Sequence, residues 1–130
     1  MTTNARQKGK RIEREAVKFL ESLGFIARRG QQHKGGPDSP DVVCESLPHT
    51  HIEVKGDERF HLYSRDLERA MEQARSEAPQ GSVPVVLWKR KRVPWHLTWQ
   101  DKVMVTTTGD ERIKVMLLDL NKEYGRNGHE

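Results

Sequence analysis

Several things are scarce in this 130-residue chain, and each scarcity removes a class of explanation. There is one cysteine, Cys44, so no internal disulfide can form, and a reducing compartment is expected. No apolar run approaches membrane-spanning length, and the opening "MTTNARQKGKR" lacks the apolar centre of a secretion signal, which points to a cytoplasmic protein. Internal repeats and low-complexity linkers are absent, and the length suits one domain with one modest core. Apolar residues make up only 34% and charged residues 32%, so a wide polar surface is expected. Against 19 acidic residues stand 23 basic ones, a net charge of +4 and a pI near 9.4. That balance favours a polyanionic partner without requiring one.

What is present reads as a single domain over residues 1–130, with residues 1–8 and 124–130 expected to fray. In "KRIEREAVKFLESLG", Ile12, Ala16, Phe19, Leu20 and Leu23 share one helical stripe, and Gly24 stops it. "FIARR" reads as a short strand leading into a Gly-rich loop. Residues 41–45 and 51–55 read as two strands about a turn at Leu47-Pro48. Ser64 can cap a second helix with the stripe Leu67, Ala70, Met71, Ala74 and Ala78, ended by Pro79. "SVPVVLW" and "VPWHLTW" read as strands paired across the basic turn "KRKR". "KVMVTT" reads as another strand, and residues 111–124 as a closing helix. This order predicts an α/β fold, a small mixed sheet with helices packed on it.

The chemistry concentrates in "GGPDSPDVVCESLPHTHIEVKG", residues 35–56. Side chains alternate along a strand, so His51, Glu53 and Lys55 share one face and Ile52 and Val54 the other. The apolar pair belongs to the core, which leaves the carboxylate and the ammonium on a more open face. A hairpin turning between residues 47 and 48 places Asp41 opposite Glu53 or Lys55. Asp38, in the first Pro-Asp, falls beyond the strand and shapes the loop. Two carboxylates at that point offer hard oxygens to a divalent cation such as Mg2+, with Mn2+ as a substitute. Such an ion lowers the pKa of a bound water and neutralises charge building on a phosphodiester. Lys55 would then orient that water or help deprotonate it. The ordinary alternative is a cross-strand ion pair worth about 0.5 kcal/mol. Glu53-Val54-Lys55 is, however, the chain's only acidic-x-Lys triplet, and it lies at hairpin distance from a Pro-Asp.

Pro40-Asp41 with Glu53-Val54-Lys55 resembles the PD-(D/E)XK nuclease signature. "KGKRIEREAVKFLESLGFIARR" resembles the opening of archaeal Holliday-junction resolvases and their phage-encoded relatives. "AMEQA" and "VPVVLWKRKRVPW" resemble the second helix and following strand pair of the phage-type members. The resemblance spans about residues 8–98. It implies a restriction-endonuclease-like core, metal-dependent phosphodiester hydrolysis and a branched or otherwise structured DNA substrate. Helical geometry leaves Glu13 and Glu15 open as the first-helix glutamate, and the resemblance assigns Glu13. It adds Gln73 at the border of the site. The metal set so implied is Asp41, Glu53, the Val54 backbone carbonyl and Glu13, directly or through water. The family's serine-bearing loop is here "GQQHKGG", and the pattern lapses after Trp99.

Basic residues flank this constellation: Lys8, Lys10, Arg11 and Arg14 around the first helix, Arg28, Arg29 and Lys34 after it, and Lys89, Arg90, Lys91 and Arg92 at the later turn. They are the candidate phosphate contacts. Trp88, Trp95 and Trp99 are expected in the core or an interface. His33, His49, His51, His61 and Cys44 match no closed zinc spacing. Three functions remain: a junction resolvase, a nuclease for flap, single-stranded or other structured DNA, and a non-catalytic nucleic-acid-binding module. The intact Asp41, Glu53 and Lys55 argue against the last. Paired nicks call for a homodimer, for which Trp99, Val103, Val105, Ile113, Met116, Leu117 and Leu120 are the available apolar material, about half of it expected to close the monomer core.

Overall fold

The computed structural model describes residues 2–30, 40–56 and 65–127, and the side chains within 9–30, 40–56 and 65–126. Its elements are α1 (Thr2–Ser22), β1 (Ala27–Arg29), β2 (Val42–Cys44), β3 (Thr50–Gly56), α2 (Arg65–Glu77), β4 (Val83–Lys89), β5 (His96–Gln100), β6 (Met104–Thr108) and α3 (Asp110–Asn127). The six strands form one sheet in sequence order. All neighbours are antiparallel except β3 and β4, which are parallel and joined through α2. The result is the expected α/β fold with a mixed sheet and flanking helices.

Helix α1 ends where Gly24 predicts. Gly24 takes φ 96°, its N–H bonds the Glu21 carbonyl at 2.9 Å, and Phe25 N–H reaches the Leu20 carbonyl at 3.1 Å. These two bonds cap the helix with a Schellman turn, and Phe25 turns into the core. This consumes Phe25 and Ile26, so β1 is shorter than "FIARR". One large core fills the face covered by α1 and α3, with Ala16, Leu20, Ile52, Val54, Val85, Leu87, Leu97, Ile113 and Leu117. On the other face α2 lays Leu67, Ala70, Met71 and Ala74 against Val86 and Trp88.

Helix α1 begins at Thr2 and α3 continues to Asn127. At the β2–β3 turn, Asn121 Oδ1 accepts from His49 N–H at 2.7 Å, and a Cβ on Gly125 would come within 2.6 Å of the His49 ring, so glycine suits the close approach of α3. One expectation needs correction: the face of β3 that carries His51 and Glu53 is not open, because α2 covers it, and the two side chains are 2% and 1% exposed. The cap residue Ser64 lies outside the described residues. Among the described residues, no helix is long and apolar enough to cross a membrane.

Candidate active site

The site is built where β2 leaves β3. Their ladder consists of one pair, Val42↔Ile52, a register that puts Asp41 opposite Glu53 and decides between the two alignments open from sequence. Asp41 sits in a bend just before β2, its carbonyl held by Gly30 N–H at 2.9 Å. Gly30 must be glycine, since a Cβ there would collide with the Pro40 carbonyl oxygen. Where the strand pairing stops, the Asp41 side chain takes over: Oδ2 accepts from Val54 N–H at 2.8 Å. A strand residue's N–H and C=O point to the same edge, so the Val54 carbonyl also looks toward Asp41.

Glu53 is the most enclosed of the acids. Its Oε1 lies 3.0 Å from His51 Nε2, while Oε2 is buried with no hydrogen-bond partner among the described residues. Burial, then Asp41, then Glu77 push its carboxyl pKa well above the ordinary value. Burial strips water from the anion, and the neighbouring Asp41 and Glu77 carboxylates favour the protonated form, by hydrogen bonding to it and by repelling the charged one. Glu13 comes from α1, 9% exposed, whereas Glu15 faces solvent. Gly56 lets α1 come close, because a Cβ there would strike the Ile12 side chain. Glu13 Oε1 accepts from Arg29 Nε at 3.1 Å. Its pKa is raised by burial and then by Asp41, with Arg29 and Lys55 pulling the other way. Lys55 Nζ donates to Gln73 Oε1 at 3.3 Å, and Gln73 Nε2 donates to Glu77 Oε1 at 3.3 Å.

Glu13, Asp41, Glu53, Lys55 and Gln73 are thus brought together from α1, the β2–β3 hairpin and α2. Two further residues stand beside them, His51 and Glu77. The sequence placed His51 on the strand face of Glu53 but gave it no role beyond a histidine that matches no closed zinc spacing, and it did not single out Glu77, which follows Gln73 by one helical turn. That spacing could have flagged Glu77 once α2 was known to lie on that face. Of the expected phosphate contacts, Lys10, Arg11, Arg14, Lys91 and Arg92 are exposed and Arg90 is half-buried. Arg28 pairs with Glu45 at 3.7 Å, Arg29 is turned to Glu13, and Lys89 Nζ lies 5.6 Å above the Trp95 ring. The Lys8 side chain, Lys34 and Asp38 lie outside the described residues.

The sequence matches the archaeal Holliday junction resolvase (Hjc) family over residues 4–125. The chain belongs to that family. No curated protein matches it. Among solved structures it is similar to Hjc of Archaeoglobus fulgidus, a Holliday junction resolvase from an archaeal hyperthermophile, at 23% identity over 78% of this chain and 84% of that one, with a TM-score of 0.43. As a member of the Hjc family, within the PD-(D/E)XK superfamily, the chain is a Holliday junction resolvase, a nuclease that hydrolyses DNA, and the family implies a divalent metal ion. The residues present fit such an ion: hard carboxylate oxygens converge, and one of them, Glu53 Oε2, is buried without a donor among the described residues.

Proposed function

We propose that this Hjc-family chain resolves four-way DNA junctions as a homodimer, with Mg2+ held by Asp41, Glu53 and the Val54 carbonyl, and Glu13 beside it directly or through water. The observation that carries the reading is the meeting of Asp41, Glu53 and Val54 at one point, with a buried carboxylate oxygen left over. When bound, the ion supplies charge neutralisation on the phosphodiester and acidifies water. The protein groups do the rest. Asp41 is oriented by the Val54 N–H. Lys55, steadied by Gln73, positions the attacking water and assists its deprotonation. Arg29 balances Glu13, so that the acidic cluster does not repel the DNA backbone outright. Lys10, Arg11, Arg14 and the Lys89–Arg92 segment track phosphates on either side.

Support for the dimer comes from apolar side chains left outside the core. Trp99, Ile113, Leu117 and Leu120 close the monomer, and Val105 and Met116 pack against it. Val103 at 67%, Val115 at 51% and Leu118 at 44% remain exposed. Val115 and Leu118 lie one turn apart on α3, the kind of face a two-fold axis can pair with itself.

The test is incubation with four-way junction, flap, duplex and single-stranded DNA, in Mg2+ or in chelator. Paired symmetric nicks in the junction that need Mg2+ are expected, from a species of about twice 15.1 kDa. Mixing wild type with Glu53→Gln should give dimers that nick without resolving. Undiminished cleavage in chelator, or a monomer that cuts only flaps or single strands, refutes the reading.

A further inference from the structure

The Mg2+ reading leaves two residues of the site unused. His51 and Glu77 have no part in holding an ion at Asp41, yet they stand against Glu53 on its other side. A ring nitrogen of His51 and carboxylate oxygens of Glu53 and Glu77 all lie within 4.8 Å of one another. The first two are enclosed, and Glu77 is half-buried at the end of α2. One side of the trio is therefore walled by the sheet and the other opens at a helix end.

We propose that His51, Glu53 and Glu77 form a second cation position, beside the one at Asp41 and sharing Glu53 with it, which takes a borderline divalent ion such as Mn2+ or Zn2+ in preference to Mg2+. It rests on the preceding reading only for the shared role of Glu53.

Three observations carry this. The donor set is mixed: an imidazole nitrogen suits Mn2+ or Zn2+, whereas Mg2+ keeps to oxygen. The spacing is suitable too. Metal–ligand bonds of about 2.0–2.2 Å put ligand atoms roughly 3.0–3.5 Å apart. His51 Nε2 and Glu53 Oε1 already stand 3.0 Å apart, and Glu77, at the helix terminus, has the rotamer freedom to close the remainder. Lastly, Glu53, 1% exposed, lies between the Asp41 and Glu77 carboxylates and keeps an oxygen with no partner among the described residues. His51 would then serve as a ligand rather than as a neutral prop for Glu53.

Metal uptake by the whole chain without DNA tests this independently of cleavage. Mn2+ binding is measured by the loss of the free-ion paramagnetic resonance signal, alone and under a large excess of Mg2+. Wild type should hold two Mn2+ per chain, one of them resistant to Mg2+. Glu77→Gln and His51→Gln should each hold one, fully displaced by Mg2+, with far-UV circular dichroism and Tm confirming the fold. If buried His51→Gln fails to fold, the half-buried Glu77→Gln decides. Asp41→Asn should keep the Mg2+-resistant ion and lose the other. A wild type that holds a single displaceable Mn2+ or none overturns the inference, as does a Glu77→Gln variant that keeps the resistant ion. Loss of both ions in Asp41→Asn overturns it as a separate site. Two ions retained in Asp41→Asn would leave this position standing and remove Asp41 from the first.

Discussion

The two faces of the sheet do different jobs. Under α1 and α3 the buried side chains are apolar, from Leu20 and Ile52 through Leu97 to Leu117. Under α2 the apolar cluster is small, Leu67, Ala70, Met71, Ala74, Val86 and Trp88, and buried polar groups sit next to it: His51, Glu53 and Thr98. Thr98 is satisfied, accepting from Trp88 Nε1 at 3.0 Å and sharing a bond with Thr106 at 2.7 Å. Glu53 is not, since one oxygen has no donor among the described residues. One face thus supplies folding energy by burying surface, while the other buries a carboxyl group beside two further carboxylates, at a cost in stability.

The sharpest way to break this comparison is to substitute once on each face. Asp41→Asn should lower junction cleavage by about a thousandfold, the upper range for removing one electrostatic contributor, with little change in Tm. Leu20→Ala should cost about 2–5 kcal/mol in denaturant titration and leave cleavage per folded molecule intact. A Leu20→Ala protein that is stable but inactive would mean that the faces are not separable.

A second measurement concerns pH in the metal-free protein. The folded-state pKa of Glu53 lies above its ordinary value of 4.5, so the fold keeps a proton that the unfolded chain gives up. The stability this contributes is complete below 4.5 and is lost as pH rises toward the folded value, with a slope of at most about 1.4 kcal/mol per pH unit. Urea midpoints in chelator should therefore fall between pH 5 and pH 8 in wild type and change less in Glu53→Gln. A divalent ion should restore the wild-type midpoint at pH 8. An equal pH response in both proteins would show that Glu53 is not the strained group.

Smaller effects sharpen the map of the polar face. Gln73→Ala frees Lys55 and Glu77 from their shared amide. It should slow single-turnover cleavage by about tenfold, as expected for a residue that orients others, with DNA affinity unchanged. Asp38→Asn, in the first Pro-Asp pair, should leave cleavage at wild-type level. A large loss there, with Asp41→Asn active, would reverse the assignment of the two aspartates.

Much of this protein was legible in its residues alone because the signals are local. Helical stripes, β-alternation and turn residues determined the element order, and the spacing of Pro40-Asp41 from Glu53-Val54-Lys55 determined which strands meet. Resemblance added the family and selected Glu13 over Glu15. What remained open depended on contacts between segments far apart in sequence. The Asp41–Glu53 register was settled by the close approach of Gly30 to Pro40 and by the single Val42↔Ile52 pair. The end of α3 was settled by His49 against Asn121 and Gly125. The burial of His51 and Glu53, and the arrival of Glu77, followed from α2 folding back over β3 and β4. Period-2 alternation says that His51, Glu53 and Lys55 share a face, but not whether that face meets water or a helix. The desolvation and crowding that raise the Glu53 pKa are long-range properties, and only the packed tertiary structure decided them.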